Sequence, residues 1–160
     1  MEKNTAKAFE YFKKAADKGF GLAELQVGIY YFSGTAPDGV DKSKALEYFK
    51  LAADKNIPEG LYRLGTYYFF DAQNTEEDAK AALQYLSQAA AANHPAAIYY
   101  LGMCYFLGKG VPADPQKANS YFISAKQLGF EGPFTNQAES EVEAPSLFSR
   151  LFSFFKRNKK

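Results

Sequence analysis

Residues 97–129 read AIYYLGMCYFLGKGVPADPQKANSYFISAKQLG, and most of the marked positions in this stretch return elsewhere in the chain at one fixed interval. Leu101-Gly102 is preceded by Leu64-Gly65 and Val27-Gly28 at steps of 37, and Tyr105 is preceded by Tyr68 and Tyr31 at the same steps. A second series, Tyr11, Tyr48, Tyr85 and Tyr121, runs at steps of 37, 37 and 36. Ala15, Ala52, Ala89 and Ala125 follow it, and so do Gly19, Asn56, Asn93 and Gly129. Self-similarity at a period of about 20–50 residues identifies a repeat architecture before any single element is assigned.

The columns have physical meaning. Glycine and asparagine tolerate the left-handed conformation that closes a helix, so four helices are expected to end just before Gly19, Asn56, Asn93 and Gly129. Pro58 and Pro95 follow the two asparagines, where a helix has already stopped. Starts are marked by Asp41, by Thr75 with Asp78 as a capping box, and by Asp114 with Pro115 at the first helical position. Each repeat is therefore a pair of helices. The first helices are expected near 22–33, 59–70 and 95–107, and the second near 5–18, 41–55, 75–92 and 114–128. The chain opens on an unpaired second helix. Ala23, Gly28, Gly65, Ala97 and Gly102 leave room for helices to cross closely, while tyrosine and phenylalanine fill the outer spaces. No pair hides its apolar face alone, so the units must stack into an α-solenoid.

Composition agrees with a packed domain and excludes several classes. At 160 residues with 47% hydrophobic content, the chain can bury a core without staples. Cys104 is the single cysteine, so neither an internal disulfide nor a thiolate metal cage is available. A net charge of +1 sets up no global field for nucleic acid. The opening MEKNTAKAFEYFKK lacks a signal-peptide layout, and no apolar run is long enough to span a bilayer, so the expected location is cytoplasmic.

The pattern A-x-Y-x-L-G-x-x-Y-x-x-G-x-G-V-x-x-D-x-x-K-A, followed by Y-x-x-A-x-x-x-G, resembles the Sel-one-like repeat, a relative of the tetratricopeptide repeat. The last unit carries it through Ala97, Tyr99, Leu101, Gly102, Tyr105, Gly108, Gly110, Val111, Asp114, Lys117, Ala118, Tyr121, Ala125 and Gly129. The unit from Ala23 has a longer loop, GTAPDGVDKSKA, and the unit from Gly60 replaces the glycine loop by DAQNTEEDAKAA. The resemblance implies an all-α, right-handed superhelical solenoid of helix-turn-helix repeats. It divides residues 1–132 into a half repeat, 1–22, and repeats 23–59, 60–96 and 97–132. Members of this family act as protein-binding adaptors and share no catalytic residues; short bacterial members include immunity-type proteins that cover a toxin, which is the alternative reading.

Chemistry-bearing motifs are sparse. LGKG at residues 107–110 lacks the following Ser or Thr and the preceding strand of a phosphate loop, so it reads as an interhelix turn. His94 is the only histidine and falls in the column of Phe20, Ile57 and Phe130, which favours a contact at the repeat joint. Cys104 reads as a small buried thiol. No catalytic residue, metal site or cofactor is expected.

Surface remains. The first helices of such arrays line the concave wall, and a stripe of positions not needed for packing reads Gln26, Tyr30, Ser33, then Arg63, Tyr67, Phe70, then Tyr100, Cys104, Leu107. Tyrosine and arginine are enriched at binding hot spots, so Gln26, Tyr30, Arg63, Tyr67 and Tyr100 are the candidate contacts for a protein or peptide partner. The competing reading makes these tyrosines ordinary repeat packing.

After Phe130 the period stops. Residues 133–145 are acidic and poor in large apolar side chains, which suggests a linker. Residues 146–160 place Leu147, Phe148, Leu151, Phe152 and Phe155 at helical spacing beside a basic end. Capping of the array, attachment to a membrane surface and binding of a partner are three open readings of this segment.

Overall fold

The computed structural model describes residues 3–135, which form seven α-helices and no strand. They are α1 (Lys3–Ala16), α2 (Gly21–Ser33), α3 (Lys42–Asp54), α4 (Pro58–Phe70), α5 (Glu76–Ala91), α6 (Pro95–Leu107) and α7 (Pro115–Gln127). Each expected helix is present within a few residues of its expected ends. The linker beyond residue 135 and the amphipathic segment with Leu147, Phe148, Leu151, Phe152 and Phe155 lie outside the described residues. The chain divides into two units, one ending at Leu64 and one beginning at Gly65.

The joint that follows each second helix is the same in all four places. Gly19, Asn56, Asn93 and Gly129 have φ of 82°, 56°, 57° and 85°, the left-handed region that the column implied. The next residue then donates its N–H to a carbonyl five residues back: Phe20 to Ala15, Ile57 to Ala52, His94 to Ala89 and Phe130 to Ala125, at 2.9–3.3 Å. This is the 6→1 closure of a helix end, and it turns the chain into the next first helix. The alanine column is thus also the acceptor column.

Helix starts follow their caps. Asp41 and Asp114 accept from the Lys44 and Lys117 backbones at 2.9 and 3.0 Å, and their own N–H groups donate to Tyr31 and Tyr105 carbonyls of the preceding helix. Thr75 and Asp78 form the reciprocal box. Of the three loops that join a first helix to its second, that between α4 and α5 is the shortest, and in place of glycine it sets Asn74 at φ 60°.

In the unit ending at Leu64, α1 packs on α2 and α2 on α3. A Cβ on Gly28 would lie 2.7 Å from Phe49, and one on Gly60 would lie 2.9 Å from Ala52, so the glycines set how near the axes come. Glu24 is buried, and Lys55 donates to both of its carboxylate oxygens at 2.6 Å. In the unit from Gly65, α5 packs on α6 and α6 on α7. Gly65 faces Leu86, Gly102 faces Phe122, and Val27, Leu64, Leu86, Phe106 and Phe122 are among the most buried side chains of the two units.

Packing continues past residue 132. Phe134 lies 5.4 Å from the Phe106 ring and 5.6 Å from Phe122, Thr135 is fully buried, and Gly132 passes against Tyr99. The polar composition of this stretch suggested linker, but one phenylalanine finds the apolar end of α6 and α7.

Candidate functional site

Two sets of aromatic side chains on the first helices do different work. Tyr31, Tyr68 and Tyr105 stack on Tyr48, Tyr85 and Tyr121 of the following helix at 6.0, 5.8 and 5.5 Å with interplanar angles of 15°, 10° and 23°. Lys44 and Lys117 lie over the Tyr31 and Tyr105 rings at 5.1 and 4.2 Å. A side-chain hydrogen bond with Tyr105 holds the Lys117 ammonium above its ordinary range. These tyrosines are hairpin packing.

The candidate contacts fall in neighbouring columns, and all five are half-buried. Gln26, Tyr30 and Arg63 belong to the first unit; Tyr67 and Tyr100 belong to the second. Tyr30 packs edge-on against Phe9 at 5.5 Å and tilts against Phe12 at 6.1 Å, so its ring is part of the α1–α2 contact. The Arg63 Nε donates to Glu59 one turn earlier at 2.6 Å. Tyr67 meets Tyr68 edge-on. Tyr100 makes edge contacts with Phe69, Phe70 and Tyr99 at 5.8, 5.4 and 5.3 Å.

Phe70 and Leu107 of the stripe border a cavity of about 580 Å³ in the second unit. Phe69, Asn74, Thr75, Glu76, Lys109 and Gly110 complete much of its wall. Lys109 closes its base: the ammonium donates to the Phe69 carbonyl and lies 4.6 Å from the Phe69 ring. A Cβ on Gly110 would come 2.3 Å from the Ala79 carbonyl oxygen, so glycine is needed for this loop to pass the first turn of α5. LGKG is therefore a loop clasp. Phe70 remains 61% exposed on the cavity's edge. Spacing alone does not single out Phe69, Asn74 or Lys109, because their roles come from the α6–α7 loop meeting the end of α4 and the start of α5, far apart in sequence.

Within the stripe, Cys104 is not available as a contact, and its reading as a small buried thiol holds. Cys104 is fully buried, since the hairpin closes over its position. Burial pushes its thiol up to about 12, with only partial opposition from the Lys109 charge. Burial likewise raises the Tyr99 hydroxyl to about 12, against a hydrogen bond with the Phe134 backbone. His94 occupies the N-cap of α6, where its Nδ1 accepts from Ala97 at 3.2 Å. Among the described residues, no three His, Cys, Asp or Glu side chains cluster as a metal site, and no helix is long and apolar enough to cross a membrane.

Seven helices in consecutive contacting pairs, locked by recurrent joints, define an all-α repeat solenoid. The Sel1 repeat model matches residues 1–20, 21–57, 58–94 and 95–130, and the chain belongs to the Sel1 repeat family. A Sel1 repeat protein from Oxalobacter formigenes is similar over 76% of this chain with 27% identity and a TM-score of 0.68. This chain spans about half, 48%, of that protein's length. Cysteine-rich protein B of Helicobacter pylori is similar over 81% of this chain and 91% of its own, with 28% identity and a TM-score of 0.58. No curated protein matches the sequence. Sel1 repeats are in general noncatalytic scaffolds for protein interaction.

Proposed function

We infer that this protein is a noncatalytic adaptor that holds a protein or peptide partner on the concave face of its repeats, with Gln26, Tyr30, Arg63, Tyr67 and Tyr100 as contacts. The observation that carries this reading is Phe70. Its large ring stays 61% exposed while it meets Tyr100 edge-on at the rim of a cavity of about 580 Å³. A fixed aromatic beside a concavity supplies contact area at little entropic cost, which is the chemistry of a binding hot spot. Arg63 adds direction, because the Glu59 carboxylate holds its guanidinium in place. Tyr30 is the weakest member, since its ring is engaged with Phe9 and Phe12.

Affinity capture from the native cell, with the wild-type chain and an Arg63→Ala, Tyr67→Ala double variant as baits, tests this reading. The variant is expected to lose the specific partner while its melting temperature changes little. Equal capture by both baits, or a fall in stability that parallels the loss of capture, refutes it.

A further inference from the structure

The cavity of the second unit has a divided lining. Its base is apolar, with Phe69 buried and Phe70 and Leu107 at its border. Lys109 lies 4.6 Å from the Phe69 ring, so an aromatic side chain entering the cavity meets both the Phe70 ring and an ammonium group. One wall is acidic. It is built from the chain between residues 70 and 79, which carries Asp71, Glu76, Glu77 and Asp78 and no cation. Lys80, just beyond it, pairs with Glu76 at 2.7 Å, and Asp78 is held in its capping box. Asp71 and Glu77 are exposed, and the wall keeps an excess of negative charge. Such a lining suits large apolar side chains accompanied by cations.

The chain itself carries that combination. Residues 146–160, SLFSRLFSFFKRNKK, place Leu147, Phe148, Leu151, Phe152 and Phe155 at helical spacing, and they include five cations and no carboxylate side chain. The tether is long enough. Phe134 lies 5.4 Å from Phe106, the sequence neighbour of Leu107 at the cavity. From there residues 136–145 reach up to about 35 Å when extended, whereas α6, with 13 residues, is only about 20 Å long. A tether of this kind holds its segment at an effective concentration on the order of millimolar, which a free peptide rarely matches.

We propose that residues 146–160 occupy the cavity of their own chain, with a phenylalanine ring between Phe70 and Lys109 and the cations along the wall of residues 70–79. The proposal rests on the concave face being the binding surface, and it adds the regulation of that face. A partner reaches the cavity only by displacing the segment, so its apparent affinity falls in proportion to the fraction of chains left open. The contacts between cations and wall lie at the mouth, where salt screens them, while the ring contact below is insensitive to salt.

The chain contains no tryptophan, so Phe152→Trp gives the full-length protein a single indole that reports on the segment. Its emission is expected to lie to the blue of the unfolded chain's, with acrylamide quenching about threefold weaker. In that background Phe70→Ser, and separately Glu76→Lys with Glu77→Lys, alter exposed positions whose intact fold is checked by circular dichroism. Each is expected to shift the emission to the red and restore quenching. An indole open to acrylamide in the parent chain overturns the proposal, as does one shielded only when phosphatidylserine vesicles are added. Shielding that either variant leaves intact places the segment elsewhere, as on the end of the last repeat, and also overturns it. Shielding that fades on about tenfold dilution makes the occupant a second copy, with the same consequence. No partner enters the assay, so the segment can be found elsewhere while capture through Arg63 and Tyr67 stands, and the failures of the two readings are told apart.

Discussion

Replacing Gly65 by alanine sets two effects of known size against each other. Alanine is favoured over glycine in a helix interior by about 1 kcal/mol. The added Cβ, however, would stand 2.7 Å from Leu86 Cγ and 2.8 Å from Cδ2, with the Leu86 backbone nitrogen at 3.2 Å. Carbon contacts are most favourable near ~3.5–4.0 Å, and Leu86 is fully buried, so its side chain has nowhere to retreat. Overpacking of this kind costs about 1–3 kcal/mol, which leaves Gly65→Ala destabilising by roughly 0–2 kcal/mol.

The sign becomes decisive in a second background. Leu86→Ala alone should cost about 2–5 kcal/mol, but it removes both atoms that the new methyl would strike. There, Gly65→Ala should stabilise by about 1 kcal/mol, giving a coupling on the order of 1–3 kcal/mol between the two sites. Urea unfolding of the four proteins, followed by the helical circular dichroism signal, measures it. If alanine at 65 stabilises both backgrounds alike, close approach of α4 and α5 is not what the glycine provides, and the reading of the whole glycine column fails.

Two further outcomes follow from the cysteine and the caps. With its thiol pushed up to about 12, Cys104 is ionised in only about one molecule in ten thousand at pH 8, so a thiol reagent should label it on unfolding and not before. Rapid stoichiometric labelling of the native chain would contradict its burial. The hydrogen bond from the Lys44 backbone holds the Asp41 carboxyl below its ordinary range. A depressed carboxylate stabilises the fold above its unfolded value and loses that effect as pH falls through the folded one, here below about pH 4. Asp41→Asn still caps but does not titrate, so the gap between it and wild type should narrow in acid; a gap independent of pH would assign it to another cause.

What could be read from the sequence, and what could not, separates along the line between local and distant causes. The left-handed closures at Gly19, Asn56, Asn93 and Gly129 and the caps at Asp41, Thr75 and Asp114 depend on a few adjacent residues, so the type of residue already states the conformation. His94 escaped that logic. Imidazole is not among the usual capping groups, and its column is otherwise apolar, so the acceptor role of its Nδ1 appears only in three dimensions. The stripe of candidate contacts exposes the same limit, because spacing tells which residues share a helix face and not what lies against that face. Cys104 shares the column of Tyr30 and Tyr67 yet is sealed, whereas Phe70 is left open. Lys109 and Phe134 act through partners tens of residues away or across a chain reversal, at Phe69 and at Phe106 and Phe122.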